Sequence, residues 1–471
     1  MPRYLPVLIL ALTIFALAVT GVGCDKSSGS GNETSGNETM GPETWAVRYD
    51  GGIADDDGAW AMAVDSSENV YVTGYSWGKG TSSKNAYSDF ATVKYDSNGK
   101  QLWLARYDGP ASEEDWAWDI VLDDSGNVYV AGWSTGVDTK SDFTTIKYDN
   151  KGKRIWVARY DGPANGYDHA YALALDSSGN IYVTGWCQGI ATNEDYATVK
   201  YDNDGNQLWV ARYNGPASGQ DRASAIAVDG GGYVYVTGWS TGDNSSLDFT
   251  TVKYDSSGNQ LWVARYDGLA NGEDKASAIA LDSMGYIYVT GSSMGDGTSI
   301  DYATVKYDSK GNQIWAARYN GTDNSADEGL AIAIDSSGDI YVTGSSIGTG
   351  TYQDYATVKY DSSGNQLWAA RYNGPESSED TPSKIALDGS GNIYVTGWST
   401  GNNQRYDYAT IKYDSSGNEI WLARFDGPAG GHDKAYDMAL GISGSIYVTG
   451  RSSGKGTYYD FTTIKYEQRE D

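Results

Sequence analysis

Eight aspartates recur at one place in a repeating pattern: Asp57, Asp115, Asp168, Asp221, Asp274, Asp327, Asp380 and Asp433. A second set keeps the same period: Asp89, Asp142, Asp195, Asp248, Asp301, Asp354, Asp407 and Asp460. Gathered carboxylates are the oxygen donors a hard cation takes, so calcium is the one cofactor these residues could hold, with the first set as its candidate ligands. The competing expectation is structural. A residue present in every copy serves the copy first, by accepting backbone N–H groups or by pairing with the equally repeated Arg and Lys, such as Arg265 and Lys253. Other chemistry has little to stand on. The two histidines, His169 and His432, lie in copies that are not neighbours, which argues against a histidine metal centre or a Ser-His-Asp triad. No phosphate loop or dinucleotide fingerprint occurs.

The copies are not identical, and their differences are where binding is expected. Three places after the repeated Asp stand Trp60, Trp118, Tyr171 and Tyr436, against Ser224, Ser277, Ser383 and Leu330 elsewhere. One place after a shared Tyr-Val-x-Gly stand Tyr75, Trp133, Trp186, Trp239 and Trp398, against Ser292 and Ser345. Asp119, Lys384 and Asp437 replace an Ala found in the other copies, and the first copy has five extra residues before Asp89, among them Trp77 and Lys84. The candidate ligand-binding residues are therefore Trp60, Trp77, Trp118, Asp119, Trp133, Tyr171, Lys384, Tyr436 and Asp437. Aromatic rings flanked by charged groups suit a glycan or a peptide, where stacking holds and polar groups orient. The alternative is that these rings fill space inside the fold.

The elements that must position these residues follow from the repeat. The Trp of a W-x-x-R element falls at 45, 103, 156, 209, 262, 315, 368 and 421, spaced by 58 once and by 53 thereafter. Each unit holds four short runs rich in Val, Ile, Tyr, Trp and Thr, separated by Gly, Asn, Asp and Ser, with no run long enough for an ordinary helix. Asp-Ser-Ser-Gly-Asn suits a tight hairpin, with Gly in the left-handed position. Four antiparallel strands in about 50 residues, in series, describe a propeller blade. In the first run, Ala223, Ala225 and Ala227 alternate with Ser224, Ile226 and Val228, so a small face can receive the large face of the next blade. The last unit stops after three strands, at about 466, while Trp45–Tyr49 is a fourth strand without its first three. The expected fold is thus all-β, an eight-bladed propeller whose N-terminal strand completes blade eight and leaves no open edge.

These units resemble the bacterial and archaeal beta-propeller repeat family known as SBBP repeats, over almost all of 44–466. The resemblance is carried by D-S-S-G-N-I-Y-V-T-G-W at 176–186 and D-Y-A-T-V-K-Y-D-S-S-G-N-Q-L-W at 354–368. The family's name refers to seven blades, whereas eight are counted here. The resemblance implies a secreted or surface propeller and implies no reaction. A weaker likeness links the units to the eight-bladed quinoprotein propellers. Asp255 to Trp262 is one residue shorter than their blade motif and their vicinal cysteines are missing, so no quinone cofactor is expected. A non-catalytic propeller lipoprotein that scaffolds envelope assembly is the relevant relative there.

The rest of the chain sets the context. Residues 1–23 read as a lipoprotein signal peptide: Arg3, then an apolar run, then Gly-Val-Gly-Cys, with Cys24 as the lipidation site. Residues 24–43 read as a flexible Ser/Gly/Asn linker, 44–466 as the propeller, and 467–471 as a tail. Cys187 is the only other cysteine, so packing rather than disulfides must hold the fold. A formal net charge of −28 argues against nucleic acid as a partner and favours solubility. The expected partners are a membrane, through the lipid anchor, and a glycan or protein, at an extracytoplasmic location. The leading functional expectation is a surface-anchored, non-catalytic binding or scaffold module for a glycan, peptide or cell-envelope partner. The alternatives are a polysaccharide lyase or glycosidase using carboxylates at the channel mouth, and a purely structural surface component.

Overall fold

A computed structural model describes residues 43–52, 55–78, 87–244 and 246–467. Residues 1–23 with the expected signal peptide, Cys24, the expected linker before residue 43 and Lys84 lie outside the described residues. The chain forms eight four-stranded antiparallel sheets arranged as a propeller, with no helix among the described residues. Blade one is built from Asp57–Val64, Val70–Gly78, Tyr87–Tyr95 and Gln101–Tyr107. Blades two to seven repeat this order from Asp115, Asp168, Asp221, Asp274, Asp327 and Asp380. Blade eight takes Asp433–Leu440, Ile446–Ser453 and Tyr459–Tyr466, and its fourth strand is Glu43–Tyr49. Trp45 lies opposite Lys465 and Tyr49 opposite Phe461, so the N-terminal strand closes the ring.

The hairpins form for the reason the turn residues suggest. Asp255 Oδ1 accepts the N–H groups of Ser257 and Asn259, Asn259 donates back to Oδ2, and Gly258 sits at φ +86°. That turn then serves the neighbouring blade: Trp209 lies over Gly258, where a Cβ would come within 2.7 Å of the ring, and donates its indole N–H to Ser256 O. The same contact ties Trp45 to Ser97, Trp103 to Asn150 and Trp156 to Asn203. Between the blades, small residues of one first strand meet large ones of the next, as Ala225 meets Ile279 and Ala61 meets Ile120.

One feature departs from the simple alternation. Every first strand carries a β-bulge three residues in, seen in the register shifts between Ala59 and Ala61 and between Ala223 and Ala225. Ala223 consequently shares a face with Ile226, towards blade three, while Ala225 faces blade five. The extra residue is left out of the ladder and re-aimed, as bulges do. The bulge also explains the Gly of Tyr-Val-x-Gly: a Cβ on Gly185 would lie 1.9 Å from the carbonyl oxygen of His169 in the bulged strand.

Candidate binding face and its carboxylates

The connections from fourth to first strand and from second to third emerge together on one face, and both aspartate sets lie there. The first set is fully buried. Asp168 Oδ2 accepts Gly162 N–H at 2.6 Å and Oδ1 accepts Gln188 N–H at 2.9 Å, which staples the incoming loop to the end of the second strand. Asp57, Asp115, Asp221, Asp274, Asp380 and Asp433 bond the same two places in their own blades, and Asp327 bonds Gly321 N–H. Burial is the main reason their carboxyls titrate high, to about 7 for Asp57 and Asp115 and about 6 for Asp168 and Asp433. The second set pairs with the repeated Arg, as Arg265 with Asp248 and Arg159 with Asp142, both at 2.7 Å. All eight blades have this pair. Lys253 does otherwise: its ammonium reaches Ser309 O of the next blade and lies over Tyr233 and Tyr235, at the opposite end of the strand.

The residues at which the copies differ come together on this face. The bulge residues touch from blade to blade: Tyr436 and Trp60 have ring centres 4.4 Å apart, Trp60 and Trp118 4.9 Å, Trp118 and Tyr171 5.5 Å. Trp60 and Tyr436 are 6% and 4% exposed. Their rings cover each other and leave little of either face open. Trp77, Trp118, Trp133 and Tyr171 are half-buried. The indole N–H groups of Trp60, Trp118 and Trp398 are buried without an acceptor.

A second row runs outside the first. Tyr75 stacks on Trp116 at 4.3 Å, Trp116 on Trp133 at 5.8 Å, Trp133 on His169 at 4.7 Å, and His169 meets Trp186 at 4.7 Å. Arg222 closes this end, 4.9 Å over Trp186, and bonds Glu194. At the other end Lys434 lies 4.3 Å over Trp398 and 4.4 Å over Tyr406, and Arg451 4.5 Å over Tyr459. Burial, followed by the Arg222 charge, holds His169 down to about 3, so it is neutral. Burial also lowers Lys434 to about 8, with Glu379 opposing and Arg451 adding to the shift. Arg405 donates to the His432 ring nitrogen Nε2 at 2.9 Å. The arc spans blades seven, eight and one to four. Blades five and six present Lys275 beside Ser292 and Glu328 beside Ser345 instead.

Trp116, His169, Arg222, Lys434, Arg451 and Tyr406 belong to this arc and were missed by the sequence reading. A signal for the first four existed: the residue just after the repeated Asp runs Gly58, Trp116, His169, Arg222, Lys275, Glu328, Thr381, Lys434, different in nearly every blade.

Asp119, Lys384 and Asp437 line the first strands of blades two, seven and eight. Lys384 Nζ and Asp437 Oδ1 are 3.0 Å apart. Asp437 also accepts Met62 N–H of blade one, and Asp119 accepts Leu173 N–H of blade three, both at 2.8 Å. Each carboxylate takes the N–H of its own next residue as well. Burial raises the Asp119 carboxyl to about 7, with the Leu173 N–H and Lys384 opposing and Asp437 reinforcing. These carboxylates thus tie inner strands together across blade boundaries, and every oxygen has a main-chain donor.

Comparison with known proteins gives distant likenesses. An uncharacterised WD repeat-containing protein of Acanthamoeba polyphaga mimivirus is 26% identical over 443 residues, covering 76% of this chain and 31% of that protein. The regulatory protein FlaEY of Caulobacter vibrioides is 30% identical over 123 residues, covering 23% of this chain and 12% of that one. The chain therefore spans about a third or less of the curated relatives it matches. Among solved structures, a eukaryotic initiation factor aligns at TM-score 0.42 and 10% identity over 77% of each chain. The family model described as a beta-propeller repeat, SBBP, matches residues 52–80, 209–244 and 368–403.

Proposed function

We propose that this chain, an eight-bladed propeller carrying SBBP beta-propeller repeats, is a non-catalytic binding or scaffold module. Its ligand surface is the arc over blades seven, eight and one to four. The observation that supports this is where the symmetry breaks. Strand lengths, hairpins, Asp staples and Arg–Asp pairs repeat around the ring, so the fold needs nothing more from the variable positions. Those positions nevertheless carry half-buried Trp116 and Trp133 along one contiguous arc with Arg222 and Lys434, which lie over the buried rings of Trp186 and Trp398, and with Arg451 over Tyr459. Cations collected over aromatic rings in a chain of net charge −28 suit a partner that brings acceptor oxygens: a glycan or a peptide of the cell envelope. Aromatic and Arg anchors are also what binding surfaces concentrate. The lipid anchor at Cys24 and an extracytoplasmic location belong to the same proposal, supported by the character of residues 1–43.

The test uses residues the fold already tolerates. Ser stands naturally at the Trp186 and Trp398 position in blades five and six, so a Trp186→Ser/Trp398→Ser variant should fold. Glycan arrays and pull-downs from envelope extract, run with both proteins, should show a ligand kept by the wild type and lost by the variant. Equal capture by both would remove the arc from the proposal, and capture by neither would favour a purely structural role.

A further inference from the structure

We propose that five of the eight blade interfaces are divalent-cation sites of the calcium type, each built from three aspartates of two neighbouring blades. The triads are Asp50, Asp57 and Asp460; Asp89, Asp108 and Asp115; Asp142, Asp161 and Asp168; Asp248, Asp267 and Asp274; and Asp407, Asp426 and Asp433. In each, the third strand and the end of the fourth strand of one blade supply two carboxylates. The first strand of the next blade supplies the other. One oxygen from each of the three lies within 4.8 Å of the others, the spread expected for oxygens about 2.3–2.6 Å from a common calcium ion.

Two further observations point to an ion. The first is the carboxylate oxygen left over. In Asp142, Asp407 and Asp460, which are 4%, 7% and 5% exposed, Oδ2 bonds the repeated Arg. Their Oδ1 atoms are buried with no hydrogen-bond partner among the described residues, an unfavourable place for a charged acceptor unless a cation meets it. The second is a charge difference the chain itself provides. Three carboxylates beside one guanidinium leave −2, which one divalent cation neutralises. At the other three interfaces Asn214, Asn320 and Asn373 replace the second aspartate, and the balance is −1. Asp195, Asp301 and Asp354 keep the same unpartnered oxygen there, but the weaker, neutral amide stands beside it. The middle residue of the triad is exposed at Asp50, Asp161, Asp267 and Asp426, so an ion can enter and keep some water. An ion at these sites would cross-link blade to blade, which is independent of any ligand on the arc.

The experiment is calcium titration of the chelator-treated full chain, by calorimetry and by sensitised terbium luminescence, with melting curves in calcium and in chelator. About five ions per chain should bind saturably and raise the melting temperature by several degrees. Asp161→Asn should remove one ion. Replacing Asp50, Asp108, Asp161, Asp267 and Asp426 together by Asn gives every interface the composition of the three natural Asn interfaces, so the variant should fold. It should lose both the saturable binding and the calcium-dependent rise. A wild type that binds no calcium and melts identically with and without chelator overturns the proposal, as does unchanged stoichiometry in the five-fold variant.

Discussion

Asp119→Ala offers a quantitative test of how the inner strands are wired. Ala is the residue at this position in five blades: Ala61, Ala172, Ala225, Ala278 and Ala331. In the folded protein the Asp119 carboxyl titrates at about 7, against an ordinary 3.8, because it is buried and Asp437 is near. A carboxyl whose pKa is raised on folding binds its proton more tightly in the native state. Stability from this group is therefore greatest at low pH, falls between about pH 4 and 7, and stays low above. A rise of about three units corresponds to about 4 kcal/mol at full ionisation. The Ala variant loses the bonds to Leu173 and Ile120 N–H at every pH, and it loses the titration. Urea unfolding of both proteins at pH 4 and pH 8 should show the variant gaining on the wild type by about 4 kcal/mol between the two. Using the difference between proteins cancels the buried carboxyls that do not interact with Asp119, and the reading is of the Asp119, Lys384 and Asp437 set as a whole. The reasoning is refuted if the gap between the two proteins is the same at both pH values.

Removing residues 43–49 should cost more than about 5 kcal/mol, since it strips blade eight of its fourth strand, leaves Asp460 without Arg48 and exposes an edge. An unchanged thermal melt would contradict closure by this strand. Gly185→Ala should destabilise by about 1–3 kcal/mol, because the added methyl meets a backbone carbonyl at the bulge rather than a side chain able to move. Denaturant unfolding measures it, and a neutral result would mean that the bulge relaxes freely.

Blade count, strand order and ring closure were legible because they rest on local signals repeated eight times: turn chemistry, strand composition and an orphaned fourth strand at Trp45. The bulge was not. Ala223, Ala225 and Ala227 read as plain alternation, and only the cross-strand pairing reveals that Ala223 changes sides. That slip is also what aims Trp60 and Trp118 at their neighbours, so types and spacing left Trp60 open to either reading, a binding ring or one filling space inside the fold. The Asp sets show the opposite case. Their positions were plain, but whether Asp168 faces a cation or backbone N–H groups depends on loop geometry contributed by Gly162 and Gln188. The arc was half visible, since the position after Tyr-Val-x-Gly stood out by its Trp residues. Its partner row, from Trp116 to Lys434, hid as ordinary surface variation.

Ring closure also gives the molecule a direction. Glu43 pairs with Tyr466 at the hairpin end of blade eight, the end where every other blade turns from its third to its fourth strand. The described chain thus begins and ends at adjacent points on the underside, opposite the stacked rings and their cations. The arc looks to the other side of the disc, like the face of a flower turned from its stem. A partner on the arc would therefore approach from the side of the disc away from Glu43 and Tyr466 and would not meet either of them.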